Sequence, residues 1–144
     1  MIIRTPTRND APAVAQLSAE LGYPADGEVM DRRLGNLLQR EDQHLRVVEI
    51  GGTIAGWIQV TVSESLESGR RAEIIGLVVS AHMRRSGVGR ALVNDAIKWA
   101  AAQKVESLVV RSNVTREASH LFYVSVGFAA LKKQTVYRMT LPDQ

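Results

Sequence analysis

The chain reads as an α/β fold, one domain in which a mixed central β-sheet of about six to seven strands carries about four helices on its faces. Three observations predict it. Apolar residues alternate or run unbroken in short β-type segments, they recur at three- and four-residue steps in longer ones, and the two kinds of segment interleave in the order β, α, α, β, β, β, α, β, α, β, β. Steps crossed by a helix favour parallel pairing, and tight turns favour antiparallel pairing.

The first strand is short, Ile2 and Ile3 before Arg4-Thr5-Pro6. Thr7 or Asn9 can cap a helix in which Ala11, Val14, Leu17 and Leu21 share one face, and Gly22-Tyr23-Pro24 ends it. A second helix spans about Asp26 to Arg40, with Met30, Leu34, Leu37 and Leu38 in its stripe. Two β-rich runs, His44 to Ile50 and Thr53 to Val62, flank Gly51-Gly52 as a hairpin would. Ser63 to Arg71 is polar and reads as an exposed loop. Ala72 to Ser80 (AEIIGLVVS) reads as a strand buried on both faces, and Gly76 marks a bulge. Gly87 to Gln103 is a helix with Val88, Leu92, Ala96 and Trp99 on one side. Ser107 to Ser112 is a strand, Arg116 to Ser125 a short helix, Gly127-Phe128 a turn into a strand, and Val136 to Leu141 a closing strand.

Composition sets the class. With 144 residues the chain suits one domain, and a 45% hydrophobic and 23% charged content is ordinary for a globular protein. A mean hydropathy of -0.07 gives no expectation of a membrane-spanning segment. The start, MIIRTPTRND, lacks the apolar run of a secretory signal, and zero Cys excludes disulfides and zinc-thiolate sites. These absences point to the cytoplasm. A net charge of +3 raises the question of nucleic acid, yet the densest basic group, Arg84-Arg85 through Arg90, is local and sits beside glycines. That suits a small phosphorylated ligand better than a duplex groove, so no nucleic-acid partner is expected.

Arg84-Arg85-Ser86-Gly87-Val88-Gly89 lies between the predicted buried strand and the longest predicted helix. A helix start has unpaired N–H groups and a partial positive charge, which together hold a phosphate anion. Glycines let the backbone approach the anion, and the arginines add charged donors. Competing glycine motifs fail on their residues. A dinucleotide fingerprint starting at Gly87 needs Gly or Ala three residues after Gly89, where Leu92 stands, and no Gly-Lys-Ser/Thr occurs for a Walker loop. A plain strand-to-helix turn with surface arginines has the same local spacing.

With these residues the sequence resembles the GNAT superfamily of acyl-CoA-dependent N-acyltransferases. The resemblance rests on Arg84-x-x-Gly87-x-Gly89, the preceding strand from Glu73 to Val79, and the later Asn113-x-x-Arg116-x-Ala118 with Phe122-Tyr123 and Gly127-Phe128. It implies acetyl-CoA as acyl donor. Leu77, Val78 and Val79 would pair with the pantetheine arm, the turn Arg84, Arg85, Ser86, Gly87, Val88, Gly89 and Arg90 would bind pyrophosphate, and Asn113, Arg116, Ala118, Phe122 and Tyr123 would line the opposite side of a splayed cleft. The family usually has a proline shortly before the first arginine, and Ser80-Ala81-His82-Met83 stands there instead.

Transfer to an amine needs a neutral nucleophile, while a lysine-like amine with a pKa of about 10.4 is almost wholly protonated at neutral pH. The departing thiolate in turn needs a proton, which a phenol of pKa about 10 can give. The resemblance places Tyr123 as that acid; a buried aromatic of the helix face is the other reading. Glu73 is the candidate base, directly or through water, with a strand-edge ion pair to Arg70 or Arg71 as its competitor. His44, His82 and His120 are scattered, read as surface residues, and give no metal site.

By the same resemblance the acceptor enters between the first two helices and the later loops, with Tyr23 and Glu28, beside Asp26 and Asp31, as candidate lining residues. Acidic groups there attract a cationic amine, and they also suit a helix start. Glu64 and Glu67 have the same two readings. The acceptor is expected to be a primary amine of a small molecule or peptide. The resemblance also implies a homodimer, with the C-terminal strands as a contact. A non-catalytic acyl-CoA-binding sensor or partner-binding module would share these features.

Overall fold

The computed structural model of the chain describes residues 1–112 and 117–143, and these fall into two compact units, Met1–Arg111 and Ser112–Gln144. In the first unit β1 (Ile2–Arg4), α1 (Ala11–Glu20), α2 (Gly27–Leu37), β2 (Gln43–Ile50), β3 (Thr53–Ser65), β4 (Gly69–Val79), α3 (Val88–Ala102) and β5 (Leu108–Val110) follow in order. The strands form one sheet in the order β1-β2-β3-β4-β5. The first three pairings are antiparallel, and β5 joins β4 in parallel after the crossover through α3.

Local chemistry sets the element ends. A 3-10 turn at Arg8–Asp10 precedes α1, and the Asp10 carboxylate accepts a hydrogen bond from the Thr7 N–H at 2.8 Å. The same carboxylate takes both guanidinium nitrogens of Arg4 at 2.8 and 2.9 Å, and Arg4 also reaches Glu49 at 3.0 Å, tying the entrance of α1 to β2. Asp26 caps α2 by accepting from the Val29 N–H at 2.8 Å. Gly51 and Gly52 both have positive φ, 57° and 80°, which the tight β2–β3 turn requires.

Helices cover both faces of the sheet. Val14 and Leu17 of α1 pack with Val47, Ile54 and Val78, and Trp57 lies against this cluster. On the other face α3 buries Val88, Leu92, Val93, Ala96 and Ala100. It approaches β3 closely, because a Cβ on Gly56 would stand 2.9 Å from Val88 Cγ1 and 3.3 Å from Leu92 Cδ1. A third cluster, Ala11, Leu34 and Leu45, seats α2.

The second unit contains α4 (Glu117–Ser125), closed by Val126 N–H to Phe122 O and Gly127 N–H to Val124 O bonds. Residues 128–143 form no strand.

Four helices and a mixed α/β sheet agree with expectation. Among the described residues the sheet has five strands, slightly below the about six to seven expected, and the runs after Gly127 and from Val136 to Leu141 are unpaired. Within their own unit those runs have no strand to bond with, and an isolated strand leaves its backbone groups to solvent. The predicted loop Ser63 to Arg71 is mostly strand: Ser63, Glu64 and Ser65 pair with Arg71, Arg70 and Gly69, and only 66–68 turn. A ladder extended past the core holds polar residues as well as apolar ones. β4 is not buried on both faces either, since Ala72, Ile74 and Val78 are buried while Ile75 is 50% exposed. Finally, Gly76 does mark a bulge. Gln59 pairs with Gly76 and Val60 with Ile74, leaving Ile75 as the extra residue.

Candidate active site

β4 is bonded to β3 along its whole length, from Gly69 to Val79, but to β5 only at Ala72, Glu73 and Ile74. Beyond the bulge the β5-side edge of β4 therefore has no strand partner among the described residues. The free edge includes Leu77, Val78 and Val79, and its unpaired N–H and C=O groups can take an extended ligand as an added strand.

The chain leaves this edge through a turn built for α3. Ser80 N–H bonds Ala55 O at 2.8 Å and Met83 N–H bonds Ser80 O at 2.9 Å, fixing the turn to β3. Ser86 donates its hydroxyl to the Met83 carbonyl, so that side chain holds the turn. Arg85 stands at φ 66°, an uncommon conformation for a residue with a Cβ. Gly87 caps α3 at φ 87° and ψ 3°, and no side chain accepts from the first turn. The first intrahelical bond is Ala91 N–H to Gly87 O at 2.9 Å, and the N–H groups of Val88 and Gly89 have no backbone acceptor among the described residues.

Arg84, Arg85 and Arg90 are exposed around this helix start and make no ion pair among the described residues. Three guanidinium groups, two unpaired N–H groups and the positive end of a 15-residue helix thus converge next to an open strand edge. That arrangement can hold a diphosphate on the turn and an extended chain along β4.

Glu73 lies on β4 one residue before the last pair with β5, opposite Thr61 and Val109. Its side chain is only 13% exposed; Arg111 Nη1 bonds Oε2 at 2.8 Å and Arg71 Nη2 approaches Oε1 at 4.0 Å. The carboxylate is therefore held in an ion pair, with Arg71 as one partner and Arg111, absent from the sequence reading, as the nearer one. Arg70 instead bonds the Gln103 carbonyl.

Of the acceptor candidates, Tyr23 is 57% exposed in the link between α1 and α2, and Glu28 is exposed in the first turn of α2. Asp26 is committed to capping α2 and Asp31 is bidentate with Arg8 at 2.9 and 2.7 Å. The Arg8 guanidinium holds the Asp31 carboxyl below its ordinary range.

In the second unit Tyr123 sits half-buried on α4. Its ring makes edge-to-face contacts with Phe122 at 5.3 Å and Phe128 at 5.7 Å, and its carbonyl accepts from the Phe128 N–H at 3.0 Å. Ala118 is exposed on the same helix. Asn113 and Arg116 lie outside the described residues.

Sequence reasoning missed two features. His44 is not a surface residue: it stacks on Trp99 at 4.8 Å and 9°, with Nε2 2.6 Å from Asp95 Oδ1, and Arg46 bonds the other Asp95 oxygen at 3.2 Å. The signal was the two-residue step on β2 facing the four-residue step from Asp95 to Trp99 on α3, visible only once the two elements are known to pack. The second is Trp57, whose ring crosses β4 at the bulge. A Cβ on Gly76 would lie 2.6 and 2.7 Å from its Cζ3 and Cη2, and its Nε1 is buried without a partner among the described residues. No group of three or more His, Cys, Asp or Glu fit to hold a metal occurs among the described residues, and no described helix is long and apolar enough to cross a membrane.

The model of the Acetyltransferase (GNAT) family matches residues 11–128. N-acetyltransferase family 8 member 3 of Rattus norvegicus is 32% identical over 83 residues, 57% of this chain and 36% of that protein, so the match spans about a third of the relative's length. Among solved structures, a transcriptional regulator from Bacillus halodurans C-125 superposes with a TM-score of 0.86 at 23% identity, covering 96% of this chain and 99% of its own. The aminoglycoside N-acetyltransferase AAC(6')-Iy, in complex with the bisubstrate analog CoA-S-monomethyl-acetylneamine, superposes with a TM-score of 0.85 at 14% identity, covering 97% of this chain and 98% of its own.

Proposed function

The chain belongs to the acetyltransferase (GNAT) family, and from that premise we propose that it transfers the acetyl group of acetyl-CoA to a primary amine of a small molecule or peptide. The observation that carries the reading is the open edge of β4 running into the unpaired N–H groups and free arginines at the start of α3. The fit is chemical. A pantetheine arm has the amide groups to bond a strand edge, and a diphosphate has the charge to suit the helix start. The bisubstrate analog held by AAC(6')-Iy joins coenzyme A to an aminoglycoside, which supports an amine acceptor.

When bound, acetyl-CoA supplies an activated acyl thioester. On this reading Leu77, Val78 and Val79 orient its arm through their backbone, and Gly87, Val88 and Gly89 with Ser86 cradle the pyrophosphate. Arg84, Arg85 and Arg90 neutralise its charge, and Asn113, Arg116, Ala118 and Phe122 flank the arm. The amine loses a proton to Glu73 or to water next to it, and its nitrogen bonds the acetyl carbon. The carbon–sulfur bond breaks, and the Tyr123 phenol gives the sulfur its proton. Both Glu73 carboxylate oxygens already face arginines, Oε2 toward Arg111 and Oε1 toward Arg71, so a water relay suits this geometry better than direct abstraction. Tyr23 and Glu28 contact the acceptor.

Calorimetry with acetyl-CoA, followed by a screen of amines for thiol release, tests the two halves in turn. Binding in the micromolar range and release with at least one amine are expected. No affinity for coenzyme A or its acetyl ester at low ionic strength overturns the reading. Binding without release by any amine assigns the chain to the non-catalytic sensor instead.

A further inference from the structure

The sheet face that carries α1 is covered over only part of its length. Paired residues share a face, so the rows that cross the strands can be followed outward from the core. Val47, Trp57 and Val78 form one row and pack with Val14 and Leu17. Leu45 and Gln59 form the next, with Leu45 packed against Ala11 and Leu34. The row beyond runs Gln43, Thr61, Glu73, Val109, about 14 Å from end to end at the usual strand spacing. Its members are half-buried, and none belongs to the clusters that seat α1 and α2.

These side chains make a polar strip with bonding capacity left over. Gln59 Nε2 donates to Gln43 Oε1 at 2.9 Å and Gln43 Nε2 donates to Thr61 Oγ1 at 2.8 Å. The Thr61 hydroxyl proton and Gln59 Oε1 have no partner among the described residues. Arg111 uses Nη1 on Glu73, which leaves its other N–H groups without an acceptor there. Arg71, opposite Ser63 and two residues along the same face from Glu73, stands 4.0 Å from that carboxylate, beyond hydrogen-bond range. One carboxylate thus faces two guanidinium groups, and the strip carries more positive charge than negative.

On the acetyl-transfer reading, on which this inference rests, the diphosphate sits just after Val79 and the arm runs back along the open edge of β4. The acyl end then arrives near Gly76, which is paired with Gln59. We propose that the strip seats the acceptor, and that the acceptor is an amine carrying a carboxylate a few ångströms from its nitrogen, as an amino acid does. Charge decides the class. A polycation would meet two arginines for one glutamate and be repelled. A zwitterion repeats the ion pair in reverse, with its ammonium toward Glu73 and its carboxylate on the spare N–H groups of Arg111 and Arg71. The Thr61 hydroxyl and the Gln59 side-chain carbonyl add a neutral donor and a neutral acceptor beside them.

Initial rates of thiol release compare amino acids with the amines that lack their carboxylate, such as phenylalanine with phenethylamine and lysine with cadaverine. The amino acids are expected to have a kcat/KM at least about 10-fold higher. Arg111→Gln and Arg71→Gln should each cut that ratio by a factor of about 5 or more. Damage to Glu73 alone would lower both acceptors alike and leave the ratio standing. Arg70→Gln, the same change of charge on the opposite face, where Arg70 bonds the Gln103 carbonyl, leaves the ratio unchanged. Near-ultraviolet circular dichroism from Trp57 and Trp99 shows that the variants have folded. Calorimetry of the same pairs with coenzyme A present reads the preference without turnover, so it serves for a non-catalytic chain as well. Cadaverine or phenethylamine used or bound at least as well as the amino acids, or a preference indifferent to both arginines, overturns the inference and leaves acetyl transfer intact. Absence of any affinity for coenzyme A overturns that reading, and the inference with it.

Discussion

Gly76→Ala tests whether the bulge in β4 exists to seat the Trp57 ring. The new Cβ would stand 2.6 Å from Cζ3 and 2.7 Å from Cη2, whereas nonbonded carbons settle at about 3.5 to 4.0 Å. The ring must therefore retreat by about an ångström. It cannot do so freely, because Val14, Leu17, Leu21 and Met30 lie in or against the cluster it packs on, and an indole has only two side-chain torsions to adjust. Overpacking of this kind costs about 1 to 3 kcal/mol, which for a chain of this length lowers Tm by roughly 4 to 12 °C. Thermal unfolding followed by circular dichroism measures it, with Gly27→Ala as control. At Gly27 the added Cβ meets only Pro12 Cα, at 4.0 Å, on a helix, so stability should hold or rise by about 0.5 kcal/mol. A double-mutant cycle completes the test: in a Trp57→Ala background Gly76→Ala should cost less by at least about 1 kcal/mol. A Gly76→Ala protein within about 0.5 kcal/mol of the parent, or a cycle with no coupling, refutes the steric reasoning.

Tyr123→Phe should fold and bind acetyl-CoA unchanged while kcat falls about 100-fold; stopped assays of thiol release measure it, and an unchanged kcat removes Tyr123 from the acid role. Arg84→Ala and Arg85→Ala should each weaken coenzyme A binding by about 10-fold or more at low salt and flatten its salt dependence, read by calorimetry at two ionic strengths. Hydrogen bonds from Arg4, above all, hold the Asp10 carboxyl below its ordinary value. A depressed acid contributes stability that is complete above its unfolded pKa of about 4 and fades as pH falls through its folded value, so Asp10→Asn should lower stability at pH 7 and shrink the loss on acidification below about pH 4. His44→Ala removes both the stack on Trp99 and the Asp95 contact, for an expected loss of about 1 to 2 kcal/mol by denaturant titration.

What the sequence disclosed follows from how local each signal is. The helix beginning at Gly87 and the turn at Gly51-Gly52 are encoded in consecutive residues; the helix formed within one residue of its predicted ends, and β2 and β3 meet the turn at Ile50 and Thr53 as predicted. The bulge was legible because a glycine interrupts an otherwise apolar strand. Pairing partners were less so. Ser63 to Arg71 reads as loop because its residues are polar, yet β3 and β4 continue through it, since a ladder already formed extends cheaply by backbone bonds that no side chain announces. Glu73 shows the same limit at the site, where its offset from the glycines was visible but its nearer partner, Arg111, lies just past the end of β5, 38 residues on.

The predicted closing strand argues the point from the other side. Its alternation from Tyr137 to Leu141 is as regular as any in the chain, and no strand forms, because period-two patterning specifies a face to be covered but not what covers it. His44 inverts the case: its local sequence carries no sign of burial, and α3 supplies both the ring and the carboxylate that enclose it. Where the residues involved are contiguous in sequence, as at the turn from Arg84 to Gly89, a candidate site can be named before the fold. Where the covering surface comes from another element, the same residues stay ambiguous until their neighbours are placed, so a candidate phosphate-binding turn can be named from the sequence while the residues that choose an amine acceptor, which come from separate elements, cannot.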